Sequence, residues 1–191
     1  MKLTSKRELP PGDFGIWIII YVELVTFGAL FLGYAFSRRL EIELFNESQL
    51  LLNQQTGFIN TLVLITSSWF VVQSVKLIKQ GQSKEIAARW LLSAIAMGFI
   101  FIMIKSMEFS DKFEQGINLS TNTFFMFYLL LTVFHFLHVV LGIVILFTLY
   151  QNTKKSKYTQ DSHEGLLTGA SYWHMVDLLW IVLFPLVYIM R

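Results

Sequence analysis

The chain contains no cysteine, which removes disulfides, thiolate metal sites and cysteine nucleophiles from consideration. Charge is also scarce: Asp, Glu, Lys and Arg make up 15% of the 191 residues, against about 25% in soluble domains. What takes their place is apolar, 54% of the chain, with 18 Phe and a mean hydropathy of +0.56. A chain of this length has too little polar surface to wrap so large an apolar core in water. A soluble globular protein, a disordered tail and a nucleic-acid binder are therefore excluded. The net charge of +2 is uninformative as a total, so the information lies in where the charges sit.

Five apolar runs account for the composition. Phe14 to Phe36 carries one charge, Glu23; Gly57 to Val75 carries none; Ala87 to Ile104 carries only Arg89; Thr123 to Tyr150 carries none; and Tyr172 to Met190 carries only Asp177. A helix rises ~1.5 Å per residue and a hydrocarbon core is ~30 Å thick, so each run is long enough to span it. Membrane strands would need to close a barrel from spans of ~10 residues of alternating polarity, and these runs do not alternate. The first run is too long for a cleavable signal, has a central Glu and is followed by no small-residue cleavage site. The expectation is an all-α integral membrane bundle of five transmembrane helices in a single domain, with no internal repeat.

Lys and Arg are distributed unevenly between the connections. Lys2, Lys6, Arg7, Lys76, Lys79, Lys84, Arg89, Lys154, Lys155 and Lys157 fall on one side, and Arg38, Arg39, Lys105, Lys112 and Arg191 on the other. The positive-inside rule then puts the N-terminus in the cytoplasm and the C-terminus outside. An odd number of spans agrees. The segment Ser37 to Thr56 suits an interfacial helix or an ordered loop, and Gln151 to Tyr172 reads as a solvated loop. The glycosylation-type tripeptides at Asn46 and Asn118 are short enough to recur by chance.

Polar residues inside the runs divide into packing surfaces and candidates for chemistry. Asn60, Ser67 and Ser74 fall on one stripe of the second run, and Ala87, Ala94, Gly98 and Lys105 on one face of the third. Small and hydroxyl residues mark helix contacts in lipid, where close backbone approach replaces the hydrophobic drive. Glu23 lies nine residues after Phe14, ~14 Å deep and close to the midplane. A carboxylate there must be protonated or paired, and it is a candidate for proton handling or for a lipid cleft as much as for a structural hydrogen bond. His135 and His138 straddle the midpoint of the fourth run on an arc shared with Thr132 and Gly142. Two His on one helix do not complete a metal centre or a six-coordinate haem, and hydrogen bonding between helices, with Glu23 as a partner, is the favoured reading. Lys105 and Glu108 have the i,i+3 spacing of a pair, expected to snorkel at the membrane interface. His174 and Asp177 repeat that spacing among Tyr172, Trp173 and Trp180, as an anchored helix start at the opposite interface, and Pro185 should kink the helix beyond them.

These motifs resemble a known family. The fifth run, YWHMVDLLWIVLFPLVYIMR, looks like the closing segment of subunit III of the haem-copper oxidases, a Tyr-Trp-His-Phe-Val-Asp run followed by Trp. The fourth run is similar to the family's His-x-x-His-Val-x-x-Gly helix, at His135, His138, Val139 and Gly142, and Glu23 with Phe27 matches its buried helix Glu. Five spans resemble the short form that lacks the first two helices. FNESQ at Phe45 to Gln49, the stretch Asn60 to Val72, KSMEF at Lys105 to Phe109 and FFMFY at Phe124 to Tyr128 are similar to the branch associated with nitric oxide reductase. The larger family usually has Gln near Lys105.

The resemblance implies a non-catalytic accessory subunit in a bacterial cytoplasmic membrane, beside a catalytic haem-copper subunit I of a nitric oxide reductase or terminal oxidase. It implies support of assembly, stability or proton uptake in respiratory electron transport. Haem and metal are expected in the partner and none in this chain, with bound phospholipid in a cleft between helix groups. The alternatives are an autonomous small transporter or proton channel using Glu23, for which the broken helices and inverted repeats are missing, and a haem-binding enzyme using His135 and His138.

Overall fold

The computed structural model of the chain describes residues 14–190. Lys2, Lys6, Arg7 and Arg191, which entered the charge count, lie outside the described residues. Six α-helices follow one another: α1 Phe14–Leu40, α2 Ile42–Leu50, α3 Gln54–Lys79, α4 Lys84–Glu114, α5 Thr123–Lys154 and α6 Glu164–Phe184, the last continued by a π-helical turn, Pro185–Ile189. Five of them, α1, α3, α4, α5 and α6 with its π turn, are long and apolar enough to cross a membrane.

Helices α3, α4, α5 and α6 close a four-membered ring, each packed on the next and α6 on α3. Helix α1 lies outside that ring against α5 and α6, and α2 bridges α1 and α5 at one end of the bundle. The expected stripes face the interior of the bundle and meet at the α3–α4 seam through Ser67 and Ala94. Asn60, Ser67, Ser74, Ala87, Ala94 and Lys105 are fully buried, and Ser67 Oγ donates to the Ala94 carbonyl at 2.9 Å. A Cβ on Gly142 would lie 2.7 Å from the Trp173 ring and one on Gly98 3.1 Å from it, so Trp173 of α6 occupies a notch that only glycines on α4 and α5 leave open.

The helices outrun the apolar runs at their ends, because a helix stops at its caps and not at its first charge. Asn53, Ser83 and Asn122 cap α3, α4 and α5 by accepting from the backbone N–H three residues on. At the far ends, Gly81, Gly116 and Ser156 adopt positive φ, and the next residue's N–H reaches back to Leu77, Lys112 and Asn152 respectively. That is the Schellman closure of orphan carbonyls. Of the two expectations for Ser37 to Thr56, the structure supplies a short helix, α2.

Two boundaries are corrected. The segment 151–172 is no long loop: α5 continues to Lys154 and α6 starts at Glu164. The small residues Gly165, Thr168, Gly169 and Ser171 masked this helix start in the sequence, and Gly169 is where α6 meets Leu149 and Ile145 of α5. Tyr172, Trp173 and Trp180 consequently lie inside α6 and are buried, and do not form a boundary anchor. Pro185, which lacks an N–H, opens the π turn closed by Met190 N–H to the Pro185 carbonyl at 2.9 Å. Carbonyls of that turn are satisfied from other elements, Val187 by Gln49 Nε2 at 2.7 Å and Tyr188 by Gln54 Nε2 at 2.8 Å.

Candidate functional site

The polar side chains inside the bundle collect into three groups. The first joins α1 to α5. His138 Nε2 lies 3.0 Å from Glu23 Oε2, while His138 Nδ1 lies 2.7 Å from the Phe134 carbonyl. A carbonyl only accepts, so Nδ1 carries a proton. The Nε2 to Oε2 contact then holds one further proton, either on the carboxyl or on the imidazole. Phe27, one turn from Glu23, packs edge-on against His138 and His135 at 5.4 and 6.5 Å and tilted on Phe134 at 5.0 Å. The Glu23 side chain remains 24% exposed, which puts it at the flank of the chain and not in the sealed core.

His135 is not part of that pair. It is fully buried, with both ring nitrogens lacking a hydrogen-bond partner, and the rings of Phe27, Phe101 and Trp180 surround it at 6.5, 5.7 and 5.1 Å. Among the described residues no three His, Cys, Asp or Glu side chains converge as a metal-ligand set. One midplane histidine is walled by rings, and the other is held on both nitrogens.

The second group lies toward the α2 end and was misread from the sequence. Lys105 and Glu108 do pair, Nζ to Oε1 at 3.1 Å, but their exposures are 0% and 5%, so they are buried and do not snorkel. The apolar run ends at Ile104, but α4 continues to Glu114 and carries the pair inside the helix. Tyr128 of α5 and Tyr188 of the π turn donate to the same Glu108 Oε1, at 2.6 and 2.5 Å. Lys105 Nζ also lies 2.5 Å from Tyr188 Oη and within 5.1 to 5.4 Å of the ring centres of Phe109, Tyr128, Trp180 and Tyr188. An ammonium thus sits in an aromatic cage closed by one carboxylate. Tyr128 and Tyr188 escaped the sequence reading. The available signal was that a buried tyrosine needs a partner for its hydroxyl.

The third group joins α3 to α6. Ser68 Oγ lies 2.5 Å from His174 Nδ1, and Asp177 Oδ2 lies 3.7 Å from that same nitrogen. A serine triad needs the hydroxyl and the carboxylate on opposite ring nitrogens, so this group fastens helices and is not a nucleophile. With α6 beginning at Glu164, His174 stands ten residues inside the helix. Nearby, Trp180 Nε1 donates to Thr61 Oγ1 at 3.0 Å.

Known proteins share this chain's sequence over most of its length. The family model for cytochrome c oxidase subunit III matches residues 12–191. A cytochrome c oxidase subunit 3 from Thermostichus vulcanus is 31% identical, covering 92% of this chain and 86% of its own. One from Synechocystis sp. is 32% identical over 93% of this chain and 75% of its own. A cytochrome bo(3) ubiquinol oxidase subunit 3 from Buchnera aphidicola is 27% identical over 98% and 89%. With five helices able to cross a membrane and a match running from residue 12 to the last, the chain is a multi-pass membrane protein that belongs to the cytochrome c oxidase subunit III family of the haem-copper oxidases.

Proposed function

We propose that this protein is a non-catalytic accessory subunit in a bacterial cytoplasmic membrane, docked beside a catalytic haem-copper subunit I whose haem and metal carry the respiratory chemistry. The observation that carries this reading is the state of the two midplane histidines. His135 is enclosed by rings and His138 is held by Glu23 and Phe134, surroundings that favour structural histidines over redox ligands. Family membership favours this role over an autonomous transporter or a haem enzyme. Relatives named for a cytochrome c oxidase and for a ubiquinol oxidase fit a subunit whose task does not depend on the electron donor.

The resemblance of FNESQ, KSMEF and FFMFY to the nitric oxide reductase-associated branch supports nitric oxide as the substrate of the partner and a place in denitrification. Within the complex the Glu23–His138 pair holds one mobile proton at the flank of the bundle, suited to proton uptake or to facing a lipid headgroup. An apolar groove of about 560 Å³ beside α5, lined by Phe113, Leu129, Val133, Phe134 and Leu137, suits a phospholipid acyl chain. The orienting experiment is purification of a tagged copy in mild detergent. A haem-bearing catalytic subunit should co-purify, and the complex should turn over nitric oxide faster than oxygen. Recovery of the chain alone from membranes that contain the catalytic subunit would reject the accessory role. Oxygen turnover with none for nitric oxide would reject the branch.

A further inference from the structure

Glu108 is unevenly served. Its Oε1 takes Lys105 Nζ and both tyrosine hydroxyls, while its Oε2 is buried and has no hydrogen-bond partner. A carboxylate oxygen sealed from solvent without a donor is costly, and such an atom in a native fold calls for an occupant. The same residue lines a cavity of about 390 Å³ at the α2 end, between the start of α3 and the last turns of α4. Its other walls include Asn53, Thr56, Asp111, Lys112 and Gln115. A water molecule occupies ~30 Å³ in the liquid, so the cavity has room for several, and its walls offer them polar partners.

Which ligand fits follows from the charges. Facing Glu108 or lining its cavity are Lys105, Asp111 and Lys112 from α4, Tyr128 from α5 and Tyr188 from the π turn, while the start of α3 contributes the neutral Thr56 and its cap Asn53. His135 lies behind Trp180, whose ring contacts both it and Lys105. Two lysines balance two carboxylates, so the cavity has no excess charge to draw a metal ion. The position a cation would take is filled by the Lys112 ammonium, 2.7 Å from the Leu51 carbonyl and 3.4 Å from Gln115 Oε1.

We propose that this cavity is a hydrated port through which Glu108 Oε2 exchanges a proton with the aqueous phase at the α2 end, making the Lys105–Glu108 cluster a protonation site separate from Glu23. The step balances simply. When side-chain motion admits a water from the port to the sealed Oε2, a hydronium there gives its proton to Oε2, one of its O–H bonds breaks as the Oε2–H bond forms, and water remains. Lys105 stays an ammonium, so the cluster gains one positive charge, which the four surrounding rings stabilise in part while the buried ammonium goes without its counter-ion. Because Glu108 also holds Tyr188, its protonation is felt by the π turn and through Val187 and Gln49 by α2. This inference stands whether or not the accessory role does.

The test uses the full chain in native membranes and exploits its lack of cysteine. Thr56→Cys and Gln115→Cys should react with a charged thiol reagent, and Ile100→Cys on the lipid-facing side of α4 should not. In the purified protein, acidification should raise a carboxylic acid C=O infrared band that shifts in D2O and is lost in Glu108→Gln. Thr56→Leu, which obstructs the port and leaves the cluster intact, should slow that D2O shift, and it serves the same purpose if Glu108→Gln fails to fold. Thiols at 56 and 115 no more reactive than at 100, or an acidification spectrum without a carboxylic acid band that is sensitive to either variant, would overturn the proposal.

Discussion

Removing the charge from Lys105 should cost more than removing both charges of its pair. Lys105→Met strips the ammonium and leaves the Glu108 carboxylate, 5% exposed, with only the Tyr128 and Tyr188 hydroxyls. Breaking a buried pair from one side costs about 3–5 kcal/mol. Glu108→Gln alone leaves an ammonium that is 0% exposed without its counter-ion, with a penalty in the same range. The double variant behaves differently. The Gln carbonyl still accepts from both tyrosines, whose Oη atoms lie 2.6 and 2.5 Å from Glu108 Oε1, and no charge remains to be solvated, so its cost should be within about 2 kcal/mol of wild type. A double-mutant cycle should therefore give a coupling of at least about 4 kcal/mol. The assay is reversible unfolding in mixed detergent micelles, followed by the fluorescence of Trp180, whose ring lies 5.4 Å from Lys105 Nζ, with Trp17, Trp69, Trp90 and Trp173 replaced by Phe. Additivity of the single variants to within about 0.5 kcal/mol would refute the view that the two charges stabilise one another.

Three further outcomes are expected. Gly142→Ala places a methyl 2.7 Å from the Trp173 ring and should destabilise by about 1–3 kcal/mol, visible as a lower Tm; an unchanged Tm would show that the notch is loose. Reporter fusions should place Lys155 in the cytoplasm and the residues after Ile189 outside, and a periplasmic signal at Lys155 would reverse the orientation drawn from the Lys and Arg distribution. Glu23→Gln should leave co-purification intact while changing turnover or lipid content of the complex, whereas Glu23→Leu removes the partner of His138 Nε2 and should cost ~1–3 kcal/mol of stability. Wild-type turnover and lipid content in Glu23→Gln would reduce Glu23 to a structural partner.

The number of long helices and their packing faces were legible because apolar length and helical spacing are local properties of the sequence. Ser67 of the α3 stripe and Ala94 of the α4 face meet in the α3–α4 seam for that reason, while Gly98 on the same α4 face receives Trp173 of α6. Helix ends were not legible, since an apolar run stops at the first charge while α4 continues through Lys105, Glu108, Asp111 and Lys112 to a glycine closure at Gly116. Every depth counted from such an end inherits the error, which is why Lys105–Glu108 and His174–Asp177 were both read as interfacial. The i,i+3 pairs themselves were within reach. Their interhelical partners were not, because Tyr188 meets Glu108 from 80 residues away and Ser68 meets His174 from 106, separations that no spacing rule connects.

Glu108 and Glu23 differ in how complete their surroundings are, and that difference separates their roles. Glu108 has its counter-ion, two hydroxyl donors and an aromatic cage within this chain, all drawn from α4, α5 and the π turn. What it lacks is a donor to one oxygen, Oε2. Glu23 has one partner, His138, and sits on α1, the helix outside the four-membered ring and the least buried of the five. Its remaining exposure opens sideways, where in a membrane only a lipid or a neighbouring subunit can stand. A carboxyl group half-completed at the flank is stable only if something else completes it, since hydrocarbon offers no hydrogen bonds. The chain's own geometry therefore directs the search for its partner to the α1 flank around Glu23.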